Sequence, residues 1–322
     1  MRKIILPLII LGIIFLCWLQ PFNIGEREVT IPKNASAREV SHILSKEMIV
    51  RATAEFLFWL KILGKEGSIR SGRYQLLIYK NPIYVIQKLM KGGRSDIAVT
   101  IPEGLTINEI AEILYKKELI SDKNKFIEMC NNKNFIKNLG LNIPSLEGYL
   151  FPDTYSFDEN EGDAKIISKM LDNLRTHTRK ITTLPVDSLR TIMIIASLVE
   201  KEARYDEERP LIARVFFNRL KLHKPLESCA TIIYAKKLKD PHITITNLLN
   251  KDLKIDSPYN TYLHPGLPPG PICSPGLNSI KAALYPADVD YLYFVARGDG
   301  YHHFSKTYKE HLKAQDYYNA KK

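Results

Sequence analysis

The sequence predicts an α+β chain. It divides into an N-terminal membrane anchor (residues 1–25), a small strand–helix region (26–120), a polar connector (121–145) and a larger mixed α/β domain (146–322). Three observations carry this reading. An apolar run follows the N-terminus, a strand–turn–helix pattern recurs 70 positions further on, and the texture changes at Leu146. With 322 residues there is room for two compact domains beyond an anchor. A chain that is 45% hydrophobic and 25% charged is not wholesale disordered.

The anchor comes first. Arg2 and Lys3 precede an apolar stretch from Ile4 to Leu19, interrupted by Pro7 and Gly12. It is shorter than the roughly 20 residues of a typical spanning helix, but Trp18 and Pro21-Phe22 extend it to a length that crosses a bilayer. No small-x-small cleavage site follows, which predicts an uncleaved signal anchor. Arg2 and Lys3 stay on the cytoplasmic side, so the rest of the chain lies outside.

The repeat is the next element. Val29-Thr-Ile-Pro32 returns as Val99-Thr-Ile-Pro102, and Ser36-Ala-Arg-Glu39 returns as Thr106-Ile-Asn-Glu109. Each copy reads as a β-branched strand, a proline turn and a capping box that opens an amphipathic helix. Between the copies, Ser71–Ile78 reads as a strand and Pro82–Met90 as a helix. Such units resemble LysM-type glycan-binding modules. The following 121–145 stretch is rich in Asn and Lys and reads as a helical connector.

From Leu146 the chain is aromatic and punctuated by Pro and Gly, as in Glu147-Gly-Tyr-Leu-Phe-Pro-Asp-Thr-Tyr155. Two helices are expected next, from about Asp187 to Ala203 and from about Glu208 to Leu222. The run Gly266–Gly276 holds too much Pro and Gly for regular structure. A helix at Ser279–Leu284, a strand at Tyr291–Ala296 and a helical tail after Thr307 close the domain.

A net charge of +11 favours polyanionic partners, among them nucleic acid, anionic lipid and acidic wall polymer. No basic run is interleaved with stacking aromatics as single-strand binders require, and an outside location conflicts with nucleic acid. The four cysteines, Cys17, Cys130, Cys229 and Cys273, form no C-x-x-C pair and have no histidine at zinc spacing, so no metal is expected. Outside the anchor an odd number remains, which does not indicate a disulfide framework. No G-x-S-x-G elbow, phosphate loop or dinucleotide fingerprint is present.

Among the acids, Glu202 shares a helix face with Ile195, Leu198 and Val199 at about 100° per residue. A carboxyl at the end of an apolar stripe points toward the core, where burial favours its neutral form and suits it to general acid work. It is equally placed to form a buried ion pair with Arg204, Arg209 or Arg214, and on geometry alone the ion pair is the commoner outcome. Glu200 looks toward a smaller, mixed face of Met193, Ala196 and Ser197. Glu147 and Asp153 are the local candidates for a second carboxylate. His302-His303, beside a glycine turn, reads as a hydrogen-bonding or groove-lining pair.

Taken together, three motifs resemble one family. They are Leu146–Tyr155; Ile195-Ala-Ser-Leu-Val-Glu-Lys-Glu-Ala203 with Ala213-Arg-Val-Phe-Phe-Asn-Arg-Leu220; and Ser257-Pro-Tyr-Asn-Thr-Tyr262 with Gly266–Gly276 and Tyr291–Ala296. In this order behind an anchor, they resemble the endolytic murein transglycosylases, the MltG or YceG-like family, over roughly residues 27–322. The chain departs from the family where Glu227-Ser-Cys-Ala-Thr231 replaces a Gln-Ser/Thr-Asp-Pro-Thr run.

The resemblance implies that Glu202 is the catalytic acid, overriding the ion-pair alternative. It also implies an open cleft, with Glu147, Asp153, Asn218, Tyr259, Asn260 and Tyr262 binding substrate and the 264–276 loop forming part of its lining. The implied reaction is non-hydrolytic cleavage between N-acetylmuramic acid and N-acetylglucosamine in nascent strands, ending them as 1,6-anhydro sugars and stopping their elongation. No cofactor is required. The implied partners are peptidoglycan strands, the membrane and cell-wall synthases, at the cytoplasmic membrane with the catalytic domain periplasmic or otherwise extracytoplasmic. The competing reading is a non-catalytic glycan-binding scaffold of the wall or division machinery.

Overall fold

The computed structural model describes residues 25–93, 96–159, 161–241, 243, 245 and 248–321. The expected anchor segment at 4–19 lies outside them. Among the described residues no helix is long and apolar enough to cross a membrane. The chain divides into two compact units. One comprises the described residues up to Ile97 with Ser156–Glu159; the other comprises Ala98–Tyr155 and the described residues after Glu159.

In the first unit, β1 (Glu26–Ile31) pairs antiparallel with β2 (Gly72–Leu77), Glu26 opposite Leu77 and Ile31 opposite Gly72. Alternation along β1 turns Val29 and Ile31 inward. They meet Val40 and Leu44 of α1 (Ala37–Lys46), Phe56 and Leu60 of α2 (Thr53–Ile62), and Ile86 and Leu89 of α3 (Pro82–Lys91) in one core. The predicted capping box opens α1: Glu39 N–H donates to Ser36 Oγ at 3.3 Å, and Ser36 N–H donates to Glu39 Oε2 at 2.7 Å. At Gly72 the strand passes so close to Gly93 that a Cβ would lie 2.8 Å from its carbonyl carbon.

β3 (Asp96–Ile101) pairs with β4 (Asp153–Asp158), and of these strands Ala98–Ile101 and Asp153–Tyr155 belong to the second unit. The other predicted capping box opens α4 (Ile107–Lys116), with Glu109 N–H donating to Thr106 Oγ1 at 3.3 Å. The two copies of the repeat thus fall in different units. The second copy is stitched into the body of its own unit, because Gly104 N–H donates to Ser274 O at 2.8 Å and Ser274 N–H to Leu105 O at 2.7 Å. The 121–145 stretch forms α5 (Lys123–Asn131) and α6 (Lys133–Asn138), whose Phe126, Cys130 and Ile136 are buried.

After α7 (Asp163–Thr178) comes a short 3-10 turn, Val186–Leu189, and then α8 (Arg190–Glu202). The sequence predicts one helix from Asp187; instead its first turn tightens and α8 proper begins at Arg190. Every residue from Met193 to Val199 is buried, so α8 is the central helix of this unit. Packed against it are α9 (Arg209–Lys221), α10 (Cys229–Lys239) and α11 (Leu277–Leu284). The hairpin β5 (Tyr293–Ala296) and β6 (His302–Ser305) is antiparallel and leads into α12 (Tyr308–Asn319).

Candidate functional site

Glu202 is the last residue of α8, at the point where that buried helix surfaces. It opens into a cleft of about 550 Å³ whose lining includes Tyr262, Cys229, Tyr293, His302 and Tyr308. Ser228 Oγ donates to Glu202 Oε1 at 2.6 Å. Ser228 is the N-cap of α10, yet its hydroxyl makes no capping bond. Forgoing a serine cap costs about 1 kcal/mol, so the hydroxyl is committed to Glu202. Its backbone is fixed in turn, because Ser228 N–H donates to Thr261 Oγ1 at 3.1 Å.

Burial pushes the Glu202 carboxyl above its ordinary value, against the smaller lowering effects of the Ser228 hydrogen bond and of positive charge on His302. The two helix ends that meet there, the C-terminus of α8 and the N-terminus of α10, have opposing electrostatic effects. Among the described residues Glu202 joins no ion pair. The three arginines that could have paired with it are otherwise engaged. Arg209 meets Glu200 at 3.3 Å and Asp206 at 2.8 Å, Arg214 donates to the Ala287 and Pro286 carbonyls, and Arg204 lies over the Tyr205 ring.

Glu200 therefore differs from the expected mixed face. It is buried, and besides Arg209 it accepts from Gly276 N–H at 2.9 Å and from Ser279 Oγ at 2.8 Å. These bonds fix the start of α11, which begins at Leu277 rather than at the predicted Ser279. Gly276 has no room for a side chain, because the Glu103 carboxyl occupies the space a Cβ would take.

The other sequence-nominated residues are spread out. Tyr262 lines the cleft and meets Cys229 Sγ at 3.1 Å; burial and Cys229 push its hydroxyl pKa up. Asn260 is fully buried and braces its own loop, donating to Leu253 O at 3.0 Å and Ile255 O at 2.8 Å. Asn218 Nδ2 tethers the chain ahead of β5 through Val289 O at 2.9 Å and Tyr291 O at 3.0 Å. Tyr259 packs on the Tyr234 ring. Asp153 holds Asn173 Nδ2 at 2.8 Å and the Thr154 N–H at 2.7 Å. The 264–276 loop does not contribute to this lining; it packs on α8, where Ile272 N–H donates to Ser197 Oγ at 3.0 Å and Arg190 donates to Pro269 O at 2.8 Å.

Glu147 is away from the cleft as well. It accepts Ile107 N–H at 3.1 Å at the start of α4 and Tyr234 O–H at 3.1 Å. Burial pushes its pKa up to about 8. In the unfolded chain a glutamate titrates near ~4.3. The folded form holds this proton more tightly, so the stabilisation is full below the unfolded pKa and is lost as pH rises toward 8. Glu147→Gln should accordingly flatten the fall in melting temperature between about pH 5 and 8, read by thermal denaturation of both proteins.

Residues that local sequence did not nominate complete the site. Glu208, itself buried, accepts from His302 Nδ1 at 2.9 Å and from His302 N–H at 2.8 Å. Arg219 holds the Glu227 carboxylate, donates to Pro225 O at 2.7 Å and lies 5.4 Å from the Tyr293 ring centre. Tyr293 stacks on His311, 5.2 Å between ring centres, to form an aromatic wall. The cysteines outside the N-terminal segment are free: Cys130 and Cys273 are buried and Cys229 is exposed. Among the described residues no cluster of His, Cys, Asp and Glu could hold a metal ion.

An α+β chain with this cleft has a solved counterpart, a crystal structure of a yceG-like protein from Listeria monocytogenes. It superposes with a TM-score of 0.58 at 31% identity, covering 89% of this chain and 98% of that one. The chain belongs to the YceG-like family, which it matches over residues 29–317. It is 35% identical to the endolytic murein transglycosylase of Bacillus subtilis (strain 168), across 91% of this chain and 85% of that protein. A Streptococcus pneumoniae protein of the same name is 34% identical across 83% of this chain, which spans 54% of the pneumococcal protein.

Proposed function

We propose that this protein is an endolytic lytic transglycosylase that cuts peptidoglycan strands between N-acetylmuramic acid and N-acetylglucosamine, with Glu202 as acid and then base. The observation that carries the proposal is a carboxyl that joins no ion pair among the described residues and whose pKa burial raises, at an open aromatic cleft. The relatives' name supports the substrate class. Protonated Glu202 gives its proton to the glycosidic oxygen as the C1–O bond breaks. The resulting carboxylate takes the proton of the C6 hydroxyl as that oxygen bonds to C1, closing the 1,6-anhydro ring. Glu202 ends protonated as it began, and the C6 hydroxyl takes the place of water. The other carboxylate in the lining, Glu227, is occupied by Arg219 and is not needed to orient water. Tyr293 and Tyr308 offer flat apolar faces for sugar rings.

The same proposal places the chain on the cytoplasmic membrane with residues beyond 25 outside, makes the 26–120 stretch an aid to glycan binding, and makes cell-wall synthases its neighbours. The first rests on Arg2-Lys3 before the apolar run, the second on the strand–helix repeat, and the third on the proposed use of nascent strands. The test is product analysis by mass spectrometry after the purified full chain acts on cell-wall sacculi. Anhydro-ended fragments from strand interiors are expected. Reducing ends would make the protein a hydrolase, and binding without cutting would make it a scaffold.

A further inference from the structure

His302 lies in the cleft lining with Glu202, brought there by β6 from a distant part of the chain. Its surroundings are unusually determinate. Nδ1 contacts Glu208 Oε2 at 2.9 Å, and since a carboxylate only accepts, Nδ1 carries the hydrogen. The other Glu208 oxygen takes the His302 backbone N–H at 2.8 Å. Both side chains are nearly buried, at 10% and 7% exposure. Ring, tautomer and strand are therefore fixed by one carboxylate, and Nε2 is left as the second nitrogen. Phe294, with its ring centre 5.3 Å away and nearly perpendicular, closes one side of the imidazole. A strand histidine used only for packing has no need of a buried carboxylate reserved for it.

We propose that His302, oriented by Glu208, is the positioning residue that stabilises negative charge on Glu202 between the two halves of the reaction. The inference rests on the transglycosylase reading above. In the first half Glu202 loses its proton to the leaving oxygen, and a carboxylate is left where burial opposes its charge. A proton held on His302 stabilises that carboxylate until the C6 hydroxyl returns one to it. No net proton is gained or lost, and His302 exchanges none with the sugar. The other ionisable groups that face Glu202 or share its cleft are Cys229 of α10, Tyr262 and Glu227 of the flanking loops, Arg219 of α9, and Tyr293, Tyr308 and His311 of the aromatic wall. Arg219 is committed to Glu227, and burial together with Arg219 pushes His311 downward. Of these groups, His302 shares the cleft with Glu202 and is the one whose positive charge would act against the effect of burial on its carboxyl.

The experiment is a pH–rate profile of the full-length protein on purified glycan strands, for wild type, H302Q, E208Q and E202Q. The working form of Glu202 is the acid, so activity falls as pH rises through its pKa. Removing a neighbouring positive charge raises that pKa, and H302Q should move this alkaline limb upward by about one pH unit while lowering the maximal rate about tenfold. E208Q keeps an acceptor for the His302 amide but loosens the ring, and should move the limb the same way by less. Loss of rate with the limb unmoved in both variants would make the pair structural and overturn the inference. If H302Q does not fold, the limb of E208Q decides alone. Undiminished cutting by E202Q would overturn the Glu202 reading instead, and the positioning role with it.

Discussion

Glu202→Gln should abolish anhydro-ended products while leaving the protein folded. The amide is nearly isosteric, can still accept from Ser228, and removes a carboxyl whose ionisation burial already opposes. It can neither give up the proton nor take it back. Acid–base assistance is worth about 10²–10⁴ in rate, and in the proposed reaction one group performs both transfers, so the loss should reach the upper end of that range. Product analysis with circular dichroism of the same sample checks it. A folded variant that cuts at the wild-type rate would remove Glu202 from the mechanism.

Glu200→Gln should do the converse. Its carboxylate is one half of a buried pair with Arg209 and the fastening point for Gly276 and Ser279. Removing one partner of a buried pair typically costs ~3–5 kcal/mol, because the other charge stays behind. Asp206 remains beside Arg209 to soften that cost. The melting temperature should drop by roughly 10 °C, while the fraction still folded at assay temperature cuts within severalfold of wild type. Thermal denaturation and single-temperature kinetics separate the two effects. An unchanged melting temperature would show that the clamp contributes nothing.

The contrast between these neighbours explains what local sequence could and could not reveal. Capping boxes at Ser36 and Thr106, and the helices that carry Glu202 and Arg219, are encoded within a few residues, so spacing exposes them. Helical phase did less than its pattern suggested. Since α8 is buried on all sides from Met193 to Val199, both Glu200 and Glu202 leave an apolar environment. What separates them is the partner each meets, and the partners come from far along the chain. Ser228 is 26 positions from Glu202, and His302 is 94 from Glu208. The same reasoning explains the misplaced 264–276 loop. Its composition announces irregular backbone, but its destination on α8 depends on Ser197 and Arg190, which no local pattern links to it.

The Ser228 hydroxyl also makes the two oxygens of Glu202 unequal. Oε1 already accepts a hydrogen bond at 2.6 Å, so in the neutral acid the hydrogen falls to Oε2, the oxygen that donates it in the proposed reaction. While the acid is neutral, Ser228 donates to a carbonyl-type oxygen. Once the proton has left, both oxygens share the charge and the same O–H now points at an anion, a contact roughly twice as strong. The tightening comes without any rearrangement, at the moment when charge has developed. In the proposed reaction, a serine withheld from its helix cap thus acts as a spring loaded toward the intermediate: slack before the proton leaves, taut at mid-reaction, and slack again when the ring has closed.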